Sequence, residues 1–469
     1  MWHALGIVLS ALVGQRWCCQ SPLQPPIGKV ALLYLTCNDF NPSACLTLLD
    51  QEGIEFDVFV LDDSTEISEK KRIDDWAVIR GIRVIRRSSR AGYKGGNVNY
   101  WLAHLGDPAV YPYVLLVDAD EHIPVDFTQR LLECLTSGQY AFAQGCHLGT
   151  AELCTPFQVL LHPQVECEWL HQVPARNLSG TPPMLGHGVL LRTESLIAVG
   201  GFPNLVSEDL GLTILLAEKG LTGVIATNVI GREEFPRSYQ VYWKQRRRWI
   251  QSDAEVVRKM LRKLWQSRVS WLARLDLSVR ELRLPIVSAY WLLLFTVAVS
   301  GFLARTKNLV LPPLAWAFLP FLLVPALPAL GIQRLSLMKR ILYVCTATFV
   351  GAATSSLHPV ASLQGLLGYR SFESTGSRHS PTGSLHFLFW ELFSGFVFFT
   401  GGLLANNWSL GAVGFAIGSS PLMRTRWETL TLAVGVIVFW MLILYQIHVD
   451  ITNEFLPIEH VLVLVGLAI

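Results

Sequence analysis

The first half of the chain alternates short apolar stretches with more polar segments. Strand-like apolar stretches occupy residues 29–36, 56–61, 82–86 and 113–117, and a helix-like segment at 43–51 lies between the first two. Short continuous apolar runs are typical of strands that are buried on both faces. Strands that alternate with helices predict an α/β domain built on a mostly parallel sheet.

Long apolar runs dominate the second half. They lie at about 284–304, 309–330, 341–357, 385–404 and 427–447, with shorter ones at 408–419 and 456–469. Because about 20 apolar residues span a bilayer as a helix, we expect roughly four to six crossings. The apolar stretch at 2–13 is shorter than a spanning helix, and a Pro-rich linker at 21–28 follows it.

These patterns divide the chain into four expected regions. Before the first long apolar run, Arg and Lys are interleaved with Leu and Trp. This composition is typical of amphipathic helices at a membrane surface. The expected regions are a short apolar segment with its linker (1–28), an α/β catalytic domain (29–253), interfacial amphipathic helices (254–283) and a transmembrane region (284–469).

Composition supports a membrane protein and argues against a nucleic-acid partner. Hydrophobic residues make up 51% of the chain and charged residues 16%, whereas soluble proteins usually carry about 25% charged residues. The net charge of +2 offers no general attraction for nucleic acid. The nine cysteines have no metal-binding spacing, and we expect them to be reduced.

Carboxylates follow three of the predicted strands. Asp39 follows the first, Asp62 and Asp63 follow the second, and Asp118-Ala119-Asp120 follows the fourth. Ligands of parallel sheets bind at the carboxyl ends of strands, so these residues are expected to share one edge. Oxygen ligands suit Mg²⁺ or Mn²⁺, which would stabilise a departing diphosphate. The alternative for each group is a turn or a helix cap that carries no chemistry.

Two further groups of polar residues precede predicted helices. These groups and the carboxylate groups above are called stations. Lys94, in the sequence Lys94-Gly95-Gly96-Asn97, is suited to pairing with a phosphate, although the glycines also fit a simple helix entry. Glu208 and Asp209 stand before an apolar helix, and Asp209 is the candidate general base for an acceptor hydroxyl. Acidic residues at a helix N-terminus are also favoured by the helix dipole, which is the structural alternative.

A basic and aromatic station completes the series. Gln245, Arg247, Arg248 and Trp249 combine an amide, guanidinium groups and an indole, which can bind diphosphate and stack against a sugar ring. The alternative is a juxtamembrane basic patch that contacts anionic lipids. We expect the arginines of this segment to be divided between the two roles.

Taken in order, these stations resemble the membrane-embedded, processive family 2 glycosyltransferases, the class of cellulose, hyaluronan, chitin and glucomannan synthases. The resemblance covers residues 30–380 and includes Thr36, Gly186-His187-Gly188 and Gly200-Gly201-Phe202 besides the stations above. It implies a GT-A catalytic domain with a UDP-sugar donor and Mg²⁺ or Mn²⁺. It also implies a gating loop at 369–384, which would require the apolar run at 341–357 to lie along or dip into the interface.

The resemblance assigns roles to the stations. Thr36, Asp39, Asp62, Asp63, Lys94 and Asp118 would bind the donor nucleotide, and Asp118 and Asp120 the metal. Asp209, with Glu208 beside it, would be the catalytic base, and Gln245, Arg247, Arg248 and Trp249 would bind the acceptor and diphosphate.

The implied reaction is an inverting transfer of a hexose to a growing β-linked polysaccharide, coupled to its translocation. The alternative is a non-processive transferase with a membrane lipid acceptor. Both imply a multi-pass protein of the plasma (inner) membrane with a cytosolic catalytic domain, contact with membrane lipids and room for an accessory subunit. Selectivity among sugars depends on the shape of the pocket, where small differences are worth only about 1–3 kcal/mol.

Overall fold

The computed structural model describes residues 28–150, 155–304, 335–369 and 385–452. The catalytic half is an α/β domain with seven strands. These are β1 (Val30–Thr36), β2 (Phe56–Asp62), β3 (Arg83–Ile85), β4 (Tyr113–Asp118), β5 (Phe142–Gly149), β6 (Val189–Arg192) and β7 (Gly223–Glu233). The helices between them are α1 (Pro42–Leu49), α2 (Ile67–Arg80), α3 (Tyr93–Leu105), α4 (Phe127–Ser137), α5 (Pro156–Cys167), α6 (Thr193–Ala198) and α7 (Glu208–Glu218).

The strands form one mixed sheet in the order β3-β2-β1-β4-β6-β5-β7. The pairs β1–β2, β1–β4, β2–β3 and β5–β7 are parallel, whereas β6 runs antiparallel to β4 and β5. The prediction of a mostly parallel α/β sheet is therefore confirmed, and the sheet with its covering helices is a GT-A-like domain.

Strand β1 shows why the apolar pattern specifies this sheet. All seven of its residues are buried, and alternate side chains enter different cores because successive residues of a strand point to opposite faces. Leu32 and Tyr34 pack in one core, while Leu33 and Leu35 pack in the other. Helices cover both faces, which leaves the strand ends as the accessible part of the sheet.

The register brings the carboxylate-bearing strand ends together. Thr36 of β1 is paired with Asp62 of β2, and Leu35 is paired with Asp118 of β4. The three strands run in the same direction, so Thr36, Asp62 and Asp118 end at one edge of the sheet, where the sequence analysis expected a ligand site.

The described residues after the sheet domain are helical. They form α8 (Tyr239–Trp265), α9 (Trp271–Ala304), α10 (Leu337–Thr354), α11 (Leu357–Leu367), α12 (Leu385–Leu404), α13 (Trp408–Met423) and α14 (Glu428–Thr452). Helix α8 continues without interruption through residue 253, the expected end of the catalytic domain. The expected apolar run at 309–330 and all but the first residue of the expected gating loop lie outside the described residues.

Among the described residues, three helices are long and apolar enough to cross a membrane: Trp271–Ser300, Phe387–Leu404 and Glu428–Val449. Helices α10 and α11 meet the same test as a pair bent by 53°, either as a broken span or as a re-entrant segment. A catalytic domain followed by an apolar helical region is thus present as predicted. The bend lies at the end of the 341–357 run, where the sequence analysis expected a segment that does not simply cross.

The expectation that every cysteine is reduced is wrong for Cys134. This residue of α4 is disulfide-bonded, whereas Cys37, Cys45, Cys146, Cys167 and Cys345 are free. Residue spacing along the chain did not reveal the bond, because two cysteines become partners only when the fold brings them within bonding distance.

Candidate active site

Lys94 links the sheet edge that carries Asp118 to Glu208 and Asp209, the acidic pair at the start of α7. Its Nζ donates a hydrogen bond of 2.5 Å to Oδ1 of Asp118 from the first turn of α3. Burial opposes the charge of the ammonium group, but Asp118, Glu208 and Asp209 together raise the pKa of Lys94. Three acids from two separate parts of the chain therefore lie near one cation, which brings Asp118 into the neighbourhood of Glu208 and Asp209.

Glu208 and Asp209 begin α7, and glycines allow other backbone segments to approach them. A Cβ atom on Gly95 would lie 3.0 Å from Cγ of Glu208, and one on Gly186 would lie 3.3 Å from Oδ2 of Asp209. Burial, with the neighbouring charge of Asp209, raises the pKa of Glu208 to about 8. Burial also raises the pKa of Asp209, whose Oδ1 accepts a hydrogen bond from the Leu210 amide at 2.8 Å.

Asp118 and Asp120 lie among other carboxylates. Burial raises the pKa of Asp120 to about 8, and the charges of Asp118 and Glu233 add to the effect. A divalent cation stabilises the ionised form of carboxylates that are crowded together, and oxygen ligands suit Mg²⁺ and Mn²⁺. The residues of this station therefore fit the metal that the resemblance implies.

Glu121, directly after this station, was missed by the sequence analysis. Its Oε2 accepts a hydrogen bond from the Asp118 amide at 3.2 Å, and its Oε1 lies 2.5 Å from Nε2 of His147. His187, in the Gly-His-Gly segment, lies on the other side of the carboxylate. Glu121 and His187 stand beside recognised motifs, but nothing in the sequence links them to His147 of β5.

Asp39 organises the loop after β1. Its Oδ1 accepts hydrogen bonds from Thr36 Oγ1 at 2.9 Å and from the Cys37 amide at 2.7 Å. The loop is held to the end of β2, because the Asn38 amide donates to Ser64 Oγ at 2.9 Å. Thr36 and Asp39 thus belong to one hydrogen-bonded loop at the predicted nucleotide edge.

Asp62 and Asp63 pair with two arginines that the sequence analysis did not identify. Arg86 Nε lies 2.6 Å from Asp62 Oδ2, while Arg87 binds both oxygens of Asp63 at 2.9 and 2.6 Å. Asp62 also accepts from the Ser64 amide at 2.8 Å, which is the turn contact considered as an alternative. Both aspartates lie at the donor edge, and their nucleotide-binding role remains a prediction.

Helix α8 contacts the apolar helices α12 and α13 along one face. The Tyr239 hydroxyl lies 2.8 Å from Ser420 Oγ, and Trp243 Nε1 donates to Glu391 Oε1 at 2.9 Å. One turn further on, the Arg247 guanidinium lies 4.3 Å above the ring of Phe387. Residues at four-residue intervals share a helix face, so this face joins α8 to α12 and α13.

A neighbouring stretch of α8 approaches the acidic pair. The Arg246 guanidinium stacks on Tyr242 and Trp249, at 4.8 and 4.5 Å from the ring centres. Burial raises the pKa of Asp253 to about 6, with Arg280 opposing the shift and Asp209 adding to it.

Gln245, Arg248 and Trp249 are half-buried on α8. The arginines of this segment are divided, with Arg247 over Phe387 and Arg246 stacked on Trp249. Whether these arginines bind diphosphate or lipid remains a prediction.

Two family models match parts of the chain. The model described as glycosyl transferase family group 2 matches residues 113–332, and the glycosyl transferase family 2 model matches residues 43–166. The two matches together cover Asp62, Asp63, Asp118, Asp120, the acidic pair and α8, whereas Thr36 and Asp39 lie before them. Over these residues the chain is therefore similar to glycosyl transferase family 2 proteins.

Three curated relatives carry more particular names. A probable glycosyltransferase of Sulfolobus acidocaldarius is 23% identical over 269 residues, or 55% of this chain and 53% of the relative. Glucomannan 4-beta-mannosyltransferase 1 of Oryza sativa is 31% identical over 219 residues, covering 44% and 40%. Beta-monoglucosyldiacylglycerol synthase of Synechocystis is 25% identical over 236 residues, covering 50% and 48%. The chain thus spans about half the length of the curated relatives it matches.

Proposed function

We propose that this protein is an inverting, metal-dependent hexosyltransferase that uses a nucleotide-sugar donor, of the UDP class, and extends a β-linked polysaccharide. The proposal rests above all on Lys94, which contacts Asp118 at 2.5 Å and lies within the electrostatic influence of Glu208 and Asp209. A diphosphate station and a candidate base near one another are the two parts that sugar transfer by direct displacement requires.

In the proposed reaction, Asp209 takes the proton of an acceptor hydroxyl. The acceptor oxygen bonds to the anomeric carbon as the bond from that carbon to the diphosphate breaks, and the nucleoside diphosphate departs. Attack from the opposite face inverts the configuration. Burial raises the pKa of Asp209, which makes its ionised form a stronger base than an exposed aspartate.

The remaining stations bind and orient the reactants. Thr36, Asp39, Asp62 and Asp63 form the nucleotide edge, and Lys94 pairs with a phosphate oxygen. Asp118 and Asp120 would hold Mg²⁺ or Mn²⁺, which supplies positive charge for the departing diphosphate. Gln245, Arg248 and Trp249 face the acceptor and diphosphate, while Arg247 helps to join α8 to the membrane helices.

The acceptor is proposed to be a polysaccharide at the membrane. The rice relative is named for a glucomannan product, and three candidate spans plus a bent pair follow the catalytic domain. The proposed location is the plasma (inner) membrane, with a cytosolic catalytic domain, surrounding lipids and an accessory subunit as an expected partner. The Synechocystis relative is named for a glycolipid, which makes non-processive transfer to a lipid the second candidate.

Full-length protein in lipid nanodiscs, incubated with a panel of radiolabelled nucleotide sugars, tests both candidates. We expect donor-dependent release of nucleoside diphosphate and a ladder of product sizes. One discrete glycolipid would replace the first candidate with the second. No release with any donor under metal supplementation would overturn both.

Asp209→Asn tests the base assignment. We expect the transfer rate to fall by about 100-fold or more, because general base catalysis contributes 10²–10⁴-fold, while donor binding by calorimetry stays near the wild-type value. Glu218→Gln, at the other end of α7, is the matched control and should leave both unchanged. An Asp209→Asn variant with wild-type turnover would contradict the proposal.

A further inference from the structure

The proposed transfer leaves one buried group of polar residues without a role. Glu121 follows β4, His147 lies in β5, and His187 lies in the loop before β6. One oxygen or nitrogen from each residue lies within 4.8 Å of the others. The side chains of Glu121 and His147 are fully buried, and that of His187 is 16% exposed. Groups of this polarity are costly to bury unless something binds them.

The Glu121 carboxylate lies between the two imidazole rings. Its Oε1 is 2.5 Å from His147 Nε2, its Oε2 is 3.6 Å from His187 Nδ1, and the ring centres are 4.5 Å apart. Two imidazole nitrogens and one carboxylate oxygen form a donor set that suits Zn²⁺, Fe²⁺ or Mn²⁺. Mg²⁺ prefers oxygen ligands throughout, as at Asp118 and Asp120.

A second layer of contacts orients His187. Its Nε2 faces Glu233 Oε2 at 3.6 Å, while Trp169 Nε1 donates a hydrogen bond of 3.1 Å to Glu233 Oε1. Histidines that bind metals usually direct the opposite ring nitrogen at a carboxylate that is itself held in place. This chain from Trp169 through Glu233 to His187 has that order.

Two nitrogens in the cluster have no hydrogen-bond partner. Among the described residues, nothing lies within hydrogen-bond range of Nδ1 of His147 or Nδ1 of His187, although both atoms are buried. Buried polar atoms in native proteins are nearly always bonded, so unpartnered ones call for a ligand. Of the two, His187 Nδ1 is the nitrogen that faces Glu121, so an ion there accounts for this atom. His147 faces the carboxylate through Nε2, and its Nδ1 does not enter the argument.

Glycines form the walls of this space. A Cβ atom on Gly188 would lie 2.4 Å from both Glu121 Oε1 and His147 Nε2, and one on Gly231 would lie 3.2 Å from His147 Nε2. A side chain at either position would intrude on the carboxylate and the rings. The Gly-His-Gly segment therefore supplies His187 as one ligand, and its Gly188 leaves room for the ligand atoms.

We propose that Glu121, His147 and His187 bind a first-row transition-metal ion, of the Zn²⁺ or Mn²⁺ class, at a site separate from Asp118 and Asp120. The site shares no ligand with the donor station and does not depend on the sugar or the acceptor. Because Glu121 also accepts the Asp118 amide hydrogen bond, the ion would fix the loop that carries the donor carboxylates.

Metal analysis of the full-length protein tests this assignment without an activity assay. The protein is stripped with EDTA, equilibrated with Zn²⁺ or Co²⁺ in the absence of nucleotide, desalted and analysed by mass spectrometry and visible absorption. We expect about one ion per chain, as in sites closed by protein ligands. His147→Gln and His187→Gln should lose it, and Glu233→Gln should weaken the affinity about 10–100-fold.

Two controls separate this site from its surroundings. The double variant Asp118→Asn with Asp120→Asn should keep the ion, and so should His162→Gln, whose histidine pairs with Glu166 at 3.3 Å. Zn²⁺ should also raise the unfolding temperature of the stripped wild type but not of His187→Gln, whose partly exposed position tolerates substitution. Less than stoichiometric metal in the wild type, or loss of the ion only in the Asp118 and Asp120 variant, would overturn the assignment.

Discussion

Glu391 holds helix α8 against α12 and α13, and its removal should damage stability and the proposed transfer together. The Glu391 side chain is fully buried in α12. It accepts hydrogen bonds of 2.9 Å from Trp243 Nε1 and Ser420 Oγ, and it pairs with Arg424. The Arg424 guanidinium also lies 4.6 Å above the Trp243 ring, so all four residues form one network.

Glu391→Ala leaves Arg424 buried without its carboxylate. Loss of one partner from a buried ion pair costs about 3–5 kcal/mol, which is a large part of the about 5–15 kcal/mol that stabilises an ordinary domain. Glu391→Gln keeps an acceptor for Trp243 and should cost less, about 1.5–3 kcal/mol, the range for hydrogen bonds to charged groups. The double variant Glu391→Gln with Arg424→Gln should be milder than the sum of the singles, because neither charge is left unpaired.

The assay combines unfolding and kinetics in nanodiscs of fixed lipid composition. We expect Glu391→Ala to be less stable than Glu391→Gln, because it loses more contacts. We also expect kcat/KM for the acceptor to fall, because α8 carries Trp249. Donor binding at the sheet edge should change little. Arg426→Gln, at an exposed position near the same helix end, is the matched control. Wild-type unfolding in Glu391→Ala, or strictly additive losses in the double variant, would refute this network.

Three further outcomes follow from close packing and from charge. Gly365→Ala places a Cβ atom 2.2 Å from a backbone oxygen of α8 and should cost about 1–3 kcal/mol of unfolding free energy, whereas Gly418→Ala, which meets no atom within 4 Å, should cost little. Burial raises the pKa of Glu208 to about 8 and also raises the pKa of Asp209. The transfer rate should therefore fall with decreasing pH in a range above the usual carboxylate pKa of about 4, because the acids become protonated there. A transfer rate that falls only at a pH of about 4 would contradict this. Lys94→Met should weaken donor binding in calorimetry and Lys94→Arg should partly restore it, whereas equal donor affinity in both variants would argue against the phosphate role.

The sequence predicted the strands whose apolar runs are uninterrupted. β1, β2 and β4 were identified with their carboxyl-end aspartates, because a buried strand is a local pattern. β5 was not identified, since Gln144 and His147 interrupt its run although both are fully buried. Their burial depends on partners elsewhere in the fold, and a single stretch of sequence does not contain that information.

Ion-pair partners were also beyond the reach of the sequence. Asp62 and Asp63 were singled out, but their contacts with Arg86 and Arg87 depend on how the end of β3 meets β2. The start of α9 has the composition of a membrane-surface helix, yet Asp276 is buried and pairs with Arg176 of the catalytic half. Charge spacing alone does not distinguish a solvated face from a buried ion pair.

The contacts that α8 makes on two sides limit how this protein can be handled. An expression fragment ending at residue 253 would cut α8 partway, leaving Trp243 and Tyr239 without Glu391 and Ser420 and exposing aromatic surface to water. Such a fragment should precipitate or lose its acceptor site even if its nucleotide edge folds. Kinetic constants of the proposed transfer should accordingly vary with the choice of detergent or lipid, since whatever surrounds α12 and α13 also influences the position of Trp249, the proposed acceptor residue of α8.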